Sequence, residues 1–167
     1  MGEMMNEDLF ERYNGNVQHQ MQAIFTSLFV MQNRIQTAGD KLQTEISMKQ
    51  WLLLAMVEVC PAPKTLTRIG TLMGCSRQNV KKLALALEVK GFVQLEQGTG
   101  HSLQISLTDK AAAYNERIGL RNAQALQLLF ADFTSEEIGL LFGFYRKLYA
   151  GIERLEVYAR EVLNDEI

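Results

Sequence analysis

The 167-residue sequence contains few of the residues that build catalytic or cross-linked sites: two cysteines, two histidines and two prolines. Two cysteines are too few for a disulfide framework, and they show no metal-ligand spacing. There are only two histidines, His19 and His101, and the sequence has no pair of carboxylates in a loop framed by glycines. We find no constellation for acid–base, nucleophilic or metal catalysis, so the sequence predicts no enzyme, no cofactor and no metal.

Long apolar stretches are also missing. No apolar run reaches the roughly 18 residues that a membrane helix needs, and residues 1–6 lack the hydrophobic core of a signal peptide. With 47% hydrophobic and 22% charged residues, the composition is that of a globular protein, and the scarcity of proline permits long helices. We therefore expect a cytoplasmic, mainly α-helical single domain over residues 1–167, without a membrane partner.

The net charge of −2 does not by itself suggest a nucleic-acid partner. Its distribution, however, is uneven: between Pro61 and His101 six side chains are cationic and two anionic, so this segment carries +4 and the rest of the chain −6. Such asymmetry is typical of a protein in which a basic surface that binds nucleic acid is carried by acidic flanking segments. An ordinary solvated helix face would give the same pattern. The six cations are Lys64, Arg68, Arg77, Lys81, Lys82 and Lys90.

Two helices joined by a tight turn are predicted inside this basic segment. The first begins at Thr65 and ends at Gly74, which supplies the left-handed position that terminates a helix. Gly70 falls where two such helices would cross, and a turn of about three or four residues is the spacing of a helix-turn-helix. The apolar residues at helical spacing are Leu66, Ile69, Leu72 and Met73.

The second helix, residues 76–90, is predicted to read the DNA. Ser76 can cap it, and Cys75 and Val80 are placed to pack together as a hydrophobic staple. The face predicted to be buried consists of Val80, Leu83, Ala84 and Leu87. The polar, basic face turned away from the core carries Arg77, Gln78, Lys81 and Lys82.

A β-hairpin follows the reading helix. Residues 92–96 and 102–107 alternate apolar and polar side chains with period two around a turn at 97–100. A hairpin directly after a helix-turn-helix is the wing of a winged helix. The winged-helix part that reads DNA is predicted to span residues 46–108, which include the helix before the helix-turn-helix.

The helix before the pair is predicted to start at Ser47, which forms a capping box with Gln50, with Ile46 and Trp51 as a hydrophobic staple. Two prolines end it before the reader begins. Trp51 is the only tryptophan; it suits a ligand pocket, although core packing is the commoner role of a tryptophan on an apolar face. The stripe predicted to be buried is Met48, Trp51, Leu52, Ala55 and Val59.

Two helices are predicted after the wing. The first starts at Thr108 and runs to Phe130, with an inward set of Tyr114, Ile118, Ala125, Leu126 and Leu129. The last opens on a second capping box, formed by Thr134 and Glu137.

Residues 1–45 and 109–167 are predicted to be dimerisation helices, because the first and last long helices carry seams with alternating three- and four-residue steps. An interlaced homodimer would cover both seams; the alternative is that they pack on each other within one subunit. The first seam, in a helix expected to end at Gly39–Asp40, is Val17, Met21, Ile24, Leu28, Met31 and Ile35. The last seam is Ile138, Leu141, Tyr145, Leu148, Ile152, Leu155, Ala159 and Val162.

This order of elements resembles the MarR (multiple antibiotic resistance regulator) family of bacterial regulators, from about residue 17 to residue 162. The best local matches are Gly74-Cys-Ser-Arg-Gln-Asn-Val80, Leu87-Glu-Val-Lys-Gly-Phe-Val93 and Leu107-Thr-Asp-Lys110. The resemblance implies a mainly α fold: a winged helix-turn-helix domain with a two-stranded wing, flanked by long N- and C-terminal dimerisation helices.

Proteins of that family are homodimers on pseudo-palindromic double-stranded promoter DNA. They usually repress, and small aromatic or phenolic ligands or cysteine oxidation release them. An arginine can donate two hydrogen bonds to the acceptors of guanine, a glutamine or asparagine can form hydrogen bonds with adenine, and a lysine neutralises phosphate charge. Carried over by position, the implied DNA contacts are Thr65, Ser76, Arg77, Gln78, Asn79, Lys81, Lys82 and, at the wing base, His101.

The candidates for regulation are an aromatic pocket formed by Phe25, Phe29 and Trp51, and oxidation of Cys75. Cys75 precedes a helix N-terminus, where the dipole and a neighbouring cation favour the reactive thiolate, but as a staple partner it would be a buried small hydrophobe. Family wings commonly carry an arginine, whereas residues 96–101 contain neither Arg nor Lys. The alternative function is therefore a protein-binding winged helix that does not bind DNA.

Overall fold

The computed structural model describes residues 10–98, 100 and 102–165. One compact unit ends at Asn115 and a second begins at Glu116. None of the described helices is both long and apolar enough to span a bilayer. The elements are α1 (Val17–Leu42), α2 (Met48–Val59), α3 (Leu66–Met73), α4 (Arg77–Val89), β1 (Val93–Gln97), β2 (Leu103–Leu107), α5 (Asp109–Leu129) and α6 (Ser135–Asp165). The predicted mainly α fold with a two-stranded wing is confirmed.

Helix α1 is longer than the sequence indicated. Asn16 caps it by accepting a hydrogen bond from a backbone N–H of the first turn at 2.9 Å. The predicted end at Gly39–Asp40 is wrong, because α1 continues to Leu42 with Gly39 buried inside it. A Cβ on Gly39 would lie 2.6 Å from Sδ of Met48. This glycine therefore permits close packing within a continuing helix and does not terminate it.

The predicted seam of α1 lies largely in solvent. Val17 is 70% exposed, and most of the other seam residues are between 41% and 52% exposed. The residues of α1 that are buried are Ala23, Ser27 and Gly39, all of them small. A single copy of the chain thus leaves the apolar stripe of α1 largely uncovered.

Helix α2 begins as predicted but buries a different face. Ser47 Oγ accepts from the N–H of Gln50 at 3.2 Å, and Gln50 Oε1 accepts from the N–H of Ser47 at 3.0 Å, so the capping box is confirmed. The predicted stripe is wrong: Leu52 is 37% and Val59 67% exposed. The buried residues are Gln50, Leu53, Leu54 and Val57. Because residues 51–57 are all apolar, periodicity alone could not select the face.

The helix-turn-helix formed by α3 and α4 is confirmed. Gly74 has φ of 62°, the left-handed conformation expected of it. A Cβ on Gly70 would lie 2.8 Å from the backbone oxygen of Cys75, so Gly70 is required where the turn crosses α3. Of the apolar residues at helical spacing, Leu66 and Ile69 are buried, whereas Leu72 is 50% exposed.

Strands β1 and β2 form an antiparallel hairpin in which Val93 faces Leu107 and Gln97 faces Leu103. Val93 and Ile105 are buried, while the polar residues between them are more exposed, so the predicted alternation is confirmed. The N–H of Ile105 donates to the backbone oxygen of Lys64 at 3.0 Å. The wing is therefore tied to the segment that leads into α3.

The start of α5 closes the core of the first unit. Thr108 Oγ1 donates to the backbone oxygen of Gly91 at 2.7 Å. The Phe92 ring packs edge-on against Tyr114 with centroids 5.3 Å apart, and Ala111 is fully buried. Aromatic pairs of this geometry stabilise a core beyond the area that they bury.

The second unit holds the rest of α5 and all of α6. Thr134 and Glu137 form the predicted capping box, with the N–H of Thr134 donating to Glu137 Oε2 at 2.8 Å and the N–H of Glu137 to Thr134 Oγ1 at 3.3 Å. Ile118 is buried, but Leu126 and Leu129 are 58% and 55% exposed, so their predicted inward position is wrong for a single chain. The apolar seam of α6 is likewise mostly exposed, for example at Ile152.

Candidate nucleic-acid interface

Helix α4 separates an apolar face from a polar face. Val80, Ala84 and Leu87 are completely buried, as the spacing predicted, and Leu83 is half-buried. The opposite face consists of exposed residues: Ser76, Arg77, Gln78, Asn79, Lys81 and Lys82. The apolar stripe holds the helix on the core, and the hydrogen-bonding side chains consequently project into solvent.

The side chains of this polar face have hydrogen-bond donors that the described part of the protein does not use. Among the described residues, none makes a hydrogen bond or ion pair with the side chains of Arg77, Lys81 or Lys82, and the same holds for the Gln78 and Asn79 side-chain amides. An exposed guanidinium, two ammonium groups and two amides on one helix face match the donors and acceptors of a DNA major groove.

Ser76 and Thr65 have structural tasks at helix N-termini. Ser76 Oγ accepts from the N–H of Asn79 at 3.2 Å, and Thr65 Oγ1 accepts from the N–H of Arg68 at 3.3 Å. Each hydroxyl hydrogen can still be donated. Ser76 is exposed while Thr65 is half-buried, so Ser76 is the more accessible of these two candidates.

The other cations of the basic segment are bound to the protein itself. Lys64 Nζ donates to the backbone oxygen of Val57 at 2.6 Å, in the last turn of α2, where a cation satisfies free carbonyls and the helix dipole. Arg68 Nη1 donates to three consecutive carbonyls of residues 61–63, the nearest at 3.0 Å. Lys90 Nζ donates to the backbone oxygen of Glu45 at 2.7 Å.

The reading surface is therefore smaller than the charge of the sequence indicated. In the described part of the chain three of the six cations bind backbone carbonyls and three are free on α4. The carbonyls that bind Lys64 and Arg68 lie five to seven residues away, whereas the one that binds Lys90 lies 45 residues away, where no local pattern reveals it. The free basic face consists of Arg77, Lys81 and Lys82.

The described residues of the wing add no cation to this face. Glu96 and Gln97, at the end of β1, are exposed, and Gly100 has φ of 66° in the turn. His101, which the sequence placed at the wing base as a DNA contact, lies outside the described residues. The basic character of the candidate interface comes from α4.

The predicted aromatic pocket residues lie on α1 and α2. Phe25 and Phe29 pack edge-on against each other with centroids 5.2 Å apart, and both are more than half exposed. Trp51 is half-buried. A cavity of about 380 Å³ also borders α1, but it is lined by Phe10, Glu11, Tyr13, Asn14, Gln20, Ala23 and Ile24 and includes none of the predicted pocket residues.

The two cysteines are unpaired, with Cys60 buried and Cys75 partly exposed. The backbone of Cys75 fixes the turn between α3 and α4, because its N–H donates to the oxygen of Gly70 at 2.9 Å. Within residues 10–98, 100 and 102–165, no group of three or more His, Cys, Asp or Glu side chains is arranged to hold a metal ion.

No protein-family model matches the chain, and no curated protein matches it. Solved structures do. The chain is similar to a MarR/EmrR family transcriptional regulator from Acinetobacter sp. ADP1, with a TM-score of 0.71 and 16% identity over 83% of this chain and 99% of that one. This likeness covers both the winged helix and long helices beyond it.

Two further structures were solved as complexes. The chain is similar to S. aureus MepR in a DNA complex, with a TM-score of 0.66 and 18% identity over 77% of this chain and 97% of that one. It is also similar to the PcaV transcriptional regulator from Streptomyces coelicolor in complex with its natural ligand, with a TM-score of 0.59 and 17% identity over 83% and 94% of the two chains. The fold is that of MarR family regulators, as the resemblance implied.

Proposed function

We propose that this protein is a MarR-type transcriptional regulator that binds double-stranded promoter DNA through α4. The observation that carries the proposal is the exposed face of α4, where Arg77, Lys81 and Lys82 have no partner among the described residues. On the opposite face Val80, Ala84 and Leu87 are completely buried. Donors left free on a helix that is rigidly seated are available to DNA without first breaking an internal contact.

The side chains at the start of α4 are suited to base edges. Arg77 lies in the first turn, where a guanidinium can bind O6 and N7 of guanine, and Gln78 or Asn79 can bind N6 and N7 of adenine. Lys81 and Lys82, one turn later, are placed for phosphates. Specificity would come from the first turn, and a larger share of the strength from the second.

A homodimer would cover the apolar seams that α1 and α6 expose. Exposed apolar patches of this extent on a solvated surface mark interaction sites, and alternating three- and four-residue steps are the pattern of helices that pack lengthwise. Two copies related by a twofold axis would present two α4 helices to successive major grooves, roughly 34–36 Å apart.

Repression and its release by an aromatic effector complete the proposal. Consider an effector that binds a dimer whose α4 helices do not match successive major grooves a hundredfold more tightly than it binds the DNA-competent dimer. Such an effector would oppose DNA binding by about 2.7 kcal/mol. Phe25 and Phe29 on α1 and Trp51 on α2 supply exposed or half-buried aromatic surface. Benzoate and phenol titrated against Trp51 fluorescence, with DNA release followed in parallel, test this step; no response in either signal would remove the effector from the proposal.

One observation favours a second function, a winged helix that binds protein and not DNA. The described residues of the wing from 96 to 98 and at 100 and 102 include no cation, so they bring no charge attraction for a phosphate backbone. The free cations of α4 favour DNA over this alternative.

Salt-dependent gel shifts distinguish the two functions. Wild-type protein should bind random and promoter duplexes with an affinity that falls steeply with salt. Lys81→Gln with Lys82→Gln should flatten the logarithmic slope by about 0.9 for each phosphate that is no longer neutralised. Lys49→Gln removes an exposed cation from α2 and serves as the matched control. Absence of a salt-dependent shift with wild-type protein would refute DNA binding.

A further inference from the structure

Lys90 connects the reading helix to a distant part of the first unit. It is the C-cap residue of α4. Its Nζ donates to the backbone oxygen of Glu45 at 2.7 Å and to Oε1 of Gln50 at 3.2 Å, residues that lie 45 and 40 positions earlier in the chain. These partners belong to the linker between α1 and α2 (residues 43–47) and to the first turn of α2.

Gln50 is held in place for its contact with Lys90. It is only 8% exposed, and its Oε1 also accepts from the N–H of Ser47 in the capping box at 3.0 Å. An amide oxygen has two acceptor positions, and both are filled here. Loss of the Lys90 ammonium would leave a nearly buried acceptor half satisfied, which is costly.

The main chain of Lys90 is held as well. Its backbone oxygen accepts from Lys110 Nζ at 2.8 Å, and that ammonium lies 4.8 Å from the centre of the Phe92 ring. The C-terminal end of α4 is thus attached through its side chain to the linker and through its carbonyl to the start of α5.

The two ends of the linker are also held. Asp40 Oδ1, in the last turns of α1, accepts from the N–H of Met48, the first residue of α2, at 2.6 Å, so this bond joins the two helices across the linker. Tyr114 donates its hydroxyl hydrogen to Gln43 Oε1. A short segment bound to α1, α2 and α5 cannot shift freely, so whatever it holds is fixed relative to the dimerisation helix α1.

We infer that Lys90 is a positioning residue for DNA reading, which sets the orientation of α4 relative to α1, and that it does not contact phosphate. This inference rests on the proposed function. Two of the three ammonium donors are engaged within the protein, so moving the ammonium away towards a phosphate would break both contacts. In a dimer, a change in this orientation alters the distance between the two reading helices.

The test compares Lys90→Met with Lys82→Met on a duplex recovered from a random-sequence selection with wild-type protein. Lys90→Met should weaken binding roughly fivefold at each salt concentration, as expected for a residue that orients without touching the ligand, and leave the salt slope unchanged. Lys82→Met should flatten the slope by about 0.9, the value for one phosphate. A flatter slope for Lys90→Met, or no change in affinity at all, would overturn the inference.

Gln50→Glu provides a second variant that keeps both the capping box and the fold. A carboxylate at this position should strengthen the bond to Lys90, so the thermal midpoint should rise and the salt slope stay the same. If Lys90 served a phosphate, the new carboxylate would compete with it, and binding to every sequence would weaken with a flatter slope.

Wild-type protein that binds no DNA would refute the proposed function and not the placement of Lys90. In that case the thermal midpoints of Lys90→Met, Gln50→Glu and the double variant still measure the coupling of the two side chains. Additive midpoints would show that Lys90 is not coupled to Gln50 at the start of α2, and the inference would fail on that result.

Discussion

Helices α4 and α6 both carry an apolar stripe, but the chain covers only the stripe of α4. Val80, Ala84 and Leu87 are completely buried, whereas Leu148 and Ile152 on α6 are 38% and 45% exposed. The surroundings of α4 are supplied by α2, α3 and the wing of the same chain. Within the described part of the chain, the stripe of α6 has no such cover, so its apolar surface is available to a second copy.

The two helices also differ in what holds their polar side chains. The basic face of α4 is free, while neighbouring cations that look equivalent in sequence are bound to carbonyls. Burial of one face fixes α4 and leaves the other face for a ligand. On α6 the exposed residues are apolar on several sides, a surface that suits protein contact better than DNA.

The largest effect that we expect is loss of the proposed dimer, which would test the contrast between the covered stripe of α4 and the uncovered stripe of α6. Replacing Leu148 and Ile152 by Asp places two carboxylates in the seam, and burial of an unpaired ion costs several kcal/mol, so the dimer dissociation constant should rise at least about a hundredfold. Analytical ultracentrifugation measures this. Ala150→Asp, on the opposite side of α6, should leave the dimer intact; a folded dimer of the double variant would contradict the seam.

Gly70→Ala should destabilise the reading part next most strongly. Its Cβ would lie 2.8 Å from the backbone oxygen of Cys75, which cannot move without distorting the turn. Overpacking of this kind costs roughly 1–3 kcal/mol. Gly119→Ala is the control, since a Cβ there meets no atom within 4 Å. Chemical unfolding should show a lower free energy of unfolding for Gly70→Ala alone. Equal free energies for the two variants would disprove the close approach of α3 to the turn at Cys75.

Arg77→Ala tests the free face of α4 directly. Loss of a bidentate base contact should cost roughly 1–3 kcal/mol on the preferred duplex and much less on random DNA, so the ratio of the two affinities should fall. Quantitative gel shifts at one salt concentration give that ratio. The role of Arg77 in sequence reading is disproved if the ratio equals that of wild type.

The smallest expected effect concerns the start of α6. Two hydrogen bonds from Thr134, the first from its backbone N–H and the second from its hydroxyl, lower the pKa of Glu137 below its ordinary value. A lowered folded-state pKa contributes stability above the unfolded value, and this contribution is lost as pH falls through the folded pKa. The thermal midpoint of wild type should therefore exceed that of Glu137→Gln at neutral pH and approach it in acid. A difference that is independent of pH would contradict this linkage.

Much of the local structure could be predicted because the signals lie within a few residues. The capping boxes at Ser47 and Thr134 and the left-handed Gly74 each depend on short-range geometry, and all three are present. The end of α1 and the buried face of α2 could not be predicted. Gly39 lies inside a continuing helix, where its lack of a Cβ makes room for the Met48 side chain. The segment 51–57 is apolar throughout, so several faces of α2 could have been the buried one.

The candidate site divides in the same way. Periodicity identified α4 and its outward residues Arg77, Gln78, Lys81 and Lys82, because the buried stripe determines the opposite face. It did not distinguish these cations from Lys64, Arg68 and Lys90, whose partners are backbone carbonyls.

The sequence by itself determined the order of elements, the caps, the helix-turn-helix with its small crossing residue, and the chemistry of the α4 face, since all of these depend on spacing and residue type. Only the tertiary structure decided which cations are free, which face of α2 is buried and which apolar stripes stay uncovered. These depend on how the chain folds around each residue, through contacts that neither spacing nor residue type reveals. The contact from Lys90 to Glu45, 45 residues away, is the clearest case.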